Sequence, residues 1–133
     1  MKAFRTLIVE DDAMIGGLLA ETLEGLGHGV SSIENNVDNA VAAASRCRPD
    51  LMIVDVGLGE ASGIAAVKEI LRGGFVPHVF VTGDAVRGTP LGSAAVLIRK
   101  PFRVSDLERA IQRALAAAPA RDRVAEQRER MEW

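Results

Sequence analysis

Cysteine is almost missing from this chain of 133 residues: Cys47 stands alone. A single thiol closes no internal disulfide, which suits a reducing cytosol. Within Ser45-Arg46-Cys47-Arg48 a small, partly buried residue is a simpler reading than a reactive thiol, although the flanking arginines favour the thiolate. Long apolar runs are missing too. None approaches the ~20 residues that span a bilayer. Met1-Lys2-Ala3-Phe4-Arg5 leads straight into a strand-like segment, without the apolar stretch or cleavage pattern of a secretion signal. Charge of one sign is not in excess: 16 basic against 18 acidic residues leave a net charge of −2. No strong field therefore draws in nucleic acid or an anionic membrane. The only two histidines, His28 and His78, lack metal-ligand spacing and a nearby Cys or His partner, so both read as structural or solvent-exposed.

What is present suffices for one domain. Just under half of the residues are hydrophobic, enough for a real core, and the length suits a single unit. Apolar runs alternate with helical patterns throughout. Thr6-Leu7-Ile8-Val9 is a short continuous run ending at three acids, as a strand buried on both faces would. Ile15, Leu18, Leu19, Thr22, Leu23 and Leu26 then recur at helical spacing, with Asp12 as cap and Gly27 as stop. Val30 to Ile33 reads as a second, weaker strand. Asn35 or Asn36 caps a helix carrying Val37, Ala40, Val41 and Ala44, and Arg48-Pro49-Asp50 ends it. Leu51-Met52-Ile53-Val54 is a third buried strand, closed by Asp55. A glycine-rich loop from Gly57 to Gly63 leads into a helix with Ile64, Val67, Ile70 and Leu71, stopped at Gly73-Gly74. His78 to Val81 and Val96 to Ile98 supply strands four and five. Ser105-Asp106-Leu107-Glu108 has the form of a capping box opening a last helix. Between Thr82 and Val96 the glycines and Pro90 leave the fourth helix short or irregular. After residue 118 the chain is a charged tail, 119–133, with no output domain expected. The alternation predicts an α/β three-layer sandwich with a parallel sheet, whose ligand site lies beyond the carboxyl ends of the strands.

Those ends carry complementary chemistry. Glu10 and Asp11 follow the first strand, Asp55 the third, Thr82 the fourth and Lys100 the fifth. Converging carboxylates without a cation repel, and one would stay protonated. Mg²⁺ resolves this, and one carboxylate is then a nucleophile toward phosphorus. Lys100 and the Thr82 hydroxyl would stabilise the developing charge.

Val9-Glu10-Asp11, Ile53-Val54-Asp55, Val81-Thr82-Gly83 and Lys100-Pro101-Phe102 together resemble the signature of receiver domains of bacterial two-component response regulators, over about residues 4 to 118. The resemblance implies a flavodoxin-like (βα)5 fold with strand order 2-1-3-4-5. It implies that Asp55 is the phosphoacceptor, that Asp11 binds Mg²⁺ directly and Glu10 mainly through water, and that the Gly57 carbonyl is a further ligand. Thr82 would bond the phosphoryl oxygen, Lys100 would pair with Asp55, and the Lys100-Pro101 peptide would be cis. The implied donor is a histidine kinase or histidine phosphotransfer protein, docking on the helix from Ala13 to Leu26. The chain would then act through protein contacts, as a relay or as a phosphate sink, catalysing only its own phosphorylation and dephosphorylation.

Some positions depart from that pattern. Leu97 stands where receivers usually carry an aromatic residue, and the segment before Lys100 is short and rich in glycine. With Val79-Phe80-Val81-Thr82-Gly83-Asp84, this makes the chain similar to the FAT GUY subgroup of single-domain receivers, although Asp84-Ala85-Val86 lacks the aromatic residue expected there. Gly59 replaces a frequent proline and implies a more mobile turn. Gly57 offers no side chain to position an attacking water, a role left to Asp84. A haloacid-dehalogenase-like phosphatase would need a second aspartate where Gly57 stands, which argues against turnover. The remaining alternative is an interaction module that binds without phosphate.

Overall fold

A computed structural model describes residues 4–58, 61–83 and 91–117. Five strands form one parallel sheet: β1 (Arg5–Val9), β2 (Gly29–Glu34), β3 (Leu51–Asp55), β4 (His78–Thr82) and β5 (Val96–Arg99), in the order β2-β1-β3-β4-β5. Four helices are described: α1 (Ala13–Gly25), α2 (Val37–Cys47), α3 (Gly63–Leu71) and α4 (Val104–Ala116). The fold is the flavodoxin-like α/β sandwich. The irregular fourth helix foreseen between β4 and β5, together with Asp84, falls on 84–90, and Gly59 and the tail likewise lie outside the described residues.

The unbroken apolar runs have a direct cause: both faces of the sheet are covered. Side chains alternate along each strand. Leu7, Val9, Met52, Val54 and Phe80 pack beneath α2 and α3. Ile8, Ile53, Val79, Val81 and Val96 point the other way, beneath α1 and α4. Phe80 is fully buried at the centre of the first layer, where truncation to alanine would cost about 3–5 kcal/mol. Both histidines are core residues. His28 lies against Phe4 with ring centroids 4.9 Å apart. His78 Nδ1 sits 2.8 Å from the Val76 carbonyl oxygen, and burial lowers its pKa despite that bond.

Local signals end the helices where expected, with one correction. Asp12 caps α1 through Oδ1, accepting from the Met14 and Ile15 N–H groups at 2.9 and 3.1 Å. Asn36 caps α2 by accepting from Asn39 N–H at 2.8 Å. Arg48 closes α2 with φ 40°, a left-handed conformation rare outside glycine. Its guanidinium donates to the Gly73 carbonyl at 3.2 Å, tying the ends of α2 and α3 together. The correction concerns α4, which starts two residues earlier than Ser105-to-Glu108 suggested. Arg103 is its N-cap, and the Asp106 carboxylate accepts from Arg103 N–H at 3.0 Å. Asp106 reaches back because it occupies the third helical position, so Ser105 is inside the first turn.

Candidate functional site

Register carries the separate strand ends to one place. Val9 pairs with Val54, Asp55 with Val81, and Thr82 with Arg99. Each functional side chain stands at or just past the last rung of its strand. Glu10 N–H donates to the Glu34 carbonyl at 2.9 Å, prolonging the β1–β2 ladder by one residue. That extra rung holds the Glu10 side chain inward, where the residue is 2% exposed. Asp11, one residue on, is exposed. Lys100 N–H donates to the Thr82 carbonyl at 2.8 Å, fastening the end of β5 to β4, and the Lys100-Pro101 peptide is cis as foreseen. Thr82 itself is buried.

Asp55 is held on two sides. Its Oδ1 accepts from Gly57 N–H at 3.0 Å, and Lys100 Nζ lies 3.4 Å from Oδ2. The same ammonium stands 3.5 Å from Glu10 Oε1, so one cation faces two carboxyl groups. That contact attracts charge without forming a hydrogen bond; among the described residues no N–H or hydroxyl donor reaches either Glu10 oxygen, and the hydrogen bond open to Glu10 is through its own proton to the Asp55 carboxyl. Burial pushes the Glu10 carboxyl up to about 8, and the Asp55 carboxyl beside it adds to the shift against the opposing pull of Lys100.

Glu10, Asp11 and Asp55 each offer a carboxylate oxygen within 4.8 Å of the others. Lys100 alone does not neutralise this group, and buried Glu10 oxygens without donors are what a hard divalent cation satisfies. The donor set therefore fits Mg²⁺. The Gly57 backbone, at the rim in a short ribbon pairing Gly57–Leu58 with Ala61–Ser62, is close enough to Asp55 to donate to it.

One residue of the site went unread in the sequence. In the sequence Gly63 reads only as the end of a glycine-rich loop. In the structure its N–H donates to the Val56 carbonyl at 2.8 Å, and a methyl group there would overlap the Asp55 carbonyl oxygen. Gly63 lets the start of α3 lie directly on the Asp55 backbone. A glycine opening a helix just after a strand-end aspartate is a signal that points to such close approach.

The pattern of the response regulator receiver domain matches residues 6–112. The chain belongs to that family. Receivers are also what it resembles in detail. The phyllosphere-induced regulator PhyR of Methylorubrum extorquens is 35% identical over 117 residues, covering 85% of this chain and 44% of that protein. The transcriptional regulatory protein PdtaR of Mycobacterium tuberculosis is 38% identical over 117 residues, covering 84% of this chain and 57% of the relative. The chain thus spans about half the length of these curated relatives. Among solved structures, the receiver domain of the Erythrobacter litoralis PhyR response regulator superposes with a TM-score of 0.76 at 29% identity, over 90% of this chain and 97% of that one. The anti-anti-sigma factor PhyR of Bartonella quintana superposes with a TM-score of 0.77 at 26% identity, covering 100% of this chain and 53% of the other. As a receiver, the chain takes part in response-regulator signalling. Among the described residues no helix is long and apolar enough to cross a membrane.

Proposed function

We propose that this receiver accepts a phosphoryl group on Asp55 from a phosphohistidine donor, and signals through protein contacts or passes the group on as a relay or sink. The observation that carries this reading is the single ammonium of Lys100 facing Asp55 and Glu10 within a cluster of three carboxyl groups. Transfer forms a bond between an Asp55 oxygen and phosphorus while the phosphorus–nitrogen bond of the donor breaks, its electron pair leaving with the imidazole. Lys100, already beside Asp55, would follow the charge onto the phosphoryl oxygens, and Gly57 N–H orients the carboxylate from the other side. Thr82, at the end of the neighbouring strand, would supply a hydroxyl to a phosphoryl oxygen. Glu10, Asp11 and Asp55, with the Gly57 carbonyl, would hold Mg²⁺, which draws charge from those oxygens when bound. The chain would turn over nothing beyond its own phosphoryl group.

Docking of a kinase or phosphotransfer protein on α1 is supported by Met14 and Leu18, which leave 76% and 57% of their surface exposed on that helix. A relative described as an anti-anti-sigma factor supports a downstream partner that is a protein.

The test is intact mass after incubation with Mg²⁺ and acetyl phosphate or phosphoramidate, beside an Asp55→Asn control. One added phosphoryl group that needs Mg²⁺ and is lost in the control supports the reading. No gain, repeated with a phosphorylated histidine donor, would leave the phosphate-independent interaction module. Leu97 on β5, 37% exposed and without an aromatic ring to swing inward, is the observation on the side of that second reading.

A further inference from the structure

The amino end of the sheet, away from Asp55, holds a cavity that phosphoryl transfer does not use. It measures about 450 Å³ and lies between the start of β1, the end of α1 and the last turns of α4. Phe4, Leu26, Ile111 and Leu115 supply apolar walls. His28 adds a ring that is 8% exposed and lies tilted against Phe4, with centroids 4.9 Å apart and planes at 35°. Apolar walls on this scale suit an apolar occupant, and two aromatic rings among them favour a third.

The exit of α4 points to where that occupant comes from. Ala116, the last residue of α4, itself lines the cavity. Ala117 leaves helical geometry at φ −93° and ψ 55°, so the chain departs from its helix at the cavity's edge. Residues 118–133 follow directly. Among their many charged side chains the larger apolar ones are Val124, Met131 and Trp133, and Trp133 is the only tryptophan of the chain. From Ala117 an extended chain reaches Trp133 over roughly 50 Å, more than enough to turn back to Ala116.

We propose that Trp133 of the same chain docks in this cavity, its indole seated against Phe4 and His28, and so clasps residues 118–133 to the amino end of the sheet. Of the three apolar candidates tryptophan buries the most surface and pairs best with aromatic rings. A short tether holds the indole at an effective concentration on the order of millimolar, so a contact too weak to join separate molecules stays made. Trp133 of a second copy is the other occupant that the test must separate. The cavity and Asp55 lie at opposite ends of the strands, so the clasp and the phosphoacceptor reading can fail independently.

With one tryptophan and no tyrosine, indole fluorescence of the full chain reports on Trp133 alone. Emission should be blue-shifted from that of the urea-unfolded chain, and quenching by acrylamide should be several-fold weaker. Leu26→Asp puts a carboxylate into the apolar wall, so the folded variant should emit and quench as the unfolded chain does. Ala116→Glu should shift both readouts the same way, and because Ala116 is exposed this variant keeps its fold even where Leu26→Asp does not. Circular dichroism checks the fold of each. Native emission and quenching equal to those of the unfolded chain would overturn the proposal, as would an unchanged spectrum in folded Ala116→Glu. So would a blue shift that vanishes on dilution together with a dimer in sedimentation, which would assign the indole to a second copy.

Discussion

Glu10 and Asp106 are both acidic residues beside an arginine or lysine, yet they are driven in opposite directions. Asp106, at the start of α4, accepts from Arg103 N–H and pairs with Arg109, and these two partners hold its carboxyl below the usual range. Glu10, past the end of β1, is buried, has no hydrogen-bond donor and is pushed up to about 8. The first carboxylate is satisfied by its own fold. The second is left short of positive charge by its own fold, beside the residue proposed to receive a phosphoryl group. A parallel sheet whose strands end together makes the second arrangement possible, and that is where the family's chemistry lies.

The sharpest way to break the contrast is to disturb the backbone beneath the site. Gly63→Ala should destabilise the fold by about 3 kcal/mol, since the new methyl group meets main chain that cannot rotate away. Phosphoramidate labelling of whatever remains folded should slow on the order of tenfold or more, because Asp55 is displaced. Gly57→Ala is the control: an added methyl there meets nothing within 4 Å, so stability should hold, as read by urea melts of both variants.

A smaller effect is expected from Glu10→Gln. Between 4.5 and about 8, the folded chain keeps a proton on Glu10 that the unfolded chain has released. Metal-free protein therefore loses stability as pH rises through that window. Mg²⁺ should restore it, raising the melting temperature more at pH 8 than at pH 5. The glutamine variant should melt about 4 °C or more above the parent at pH 8 without metal, and should gain less from Mg²⁺. A variant that melts lower at pH 8 and keeps the full response to Mg²⁺ would contradict this account of the cluster.

The smallest effect sharpens the other half of the comparison. Asp106→Ala should lower the melting temperature modestly at neutral pH and leave Mg²⁺-dependent labelling of Asp55 unchanged. The carboxylate's contribution is present above its ordinary value of 3.8 and disappears as pH falls through its lowered pKa, so parent and variant should converge in acid. Thermal melts across pH 2 to 7 (roughly the range over which such a group titrates) check the convergence.

Much of this was legible in the chain itself. Short apolar runs that stop at Glu10 and Asp55 read as strands buried on both faces, and the helical spacing between them points to a parallel sheet. The same runs place the acids, Thr82 and Lys100 at strand ends, because register counts residues and burial fixes its phase. Asp12 could be read as a cap from its position alone, and for α2 the structure chose Asn36 over Asn35. Other features depend on neighbours distant in sequence. Nothing local distinguishes Glu10 from Asp11, yet one rung of ladder to Glu34 buries the first and leaves the second in water. Gly63 looked like loop until α3 was laid on the Asp55 carbonyl, and Ser105 looked like a cap until Arg103 and Asp106 closed the turn instead. The sequence alone determined which groups meet, through periodicity and pattern. Only the tertiary structure decided which carboxylate loses its water and how close the backbone comes, because desolvation and close approach are properties of packed neighbours, not of residues in order.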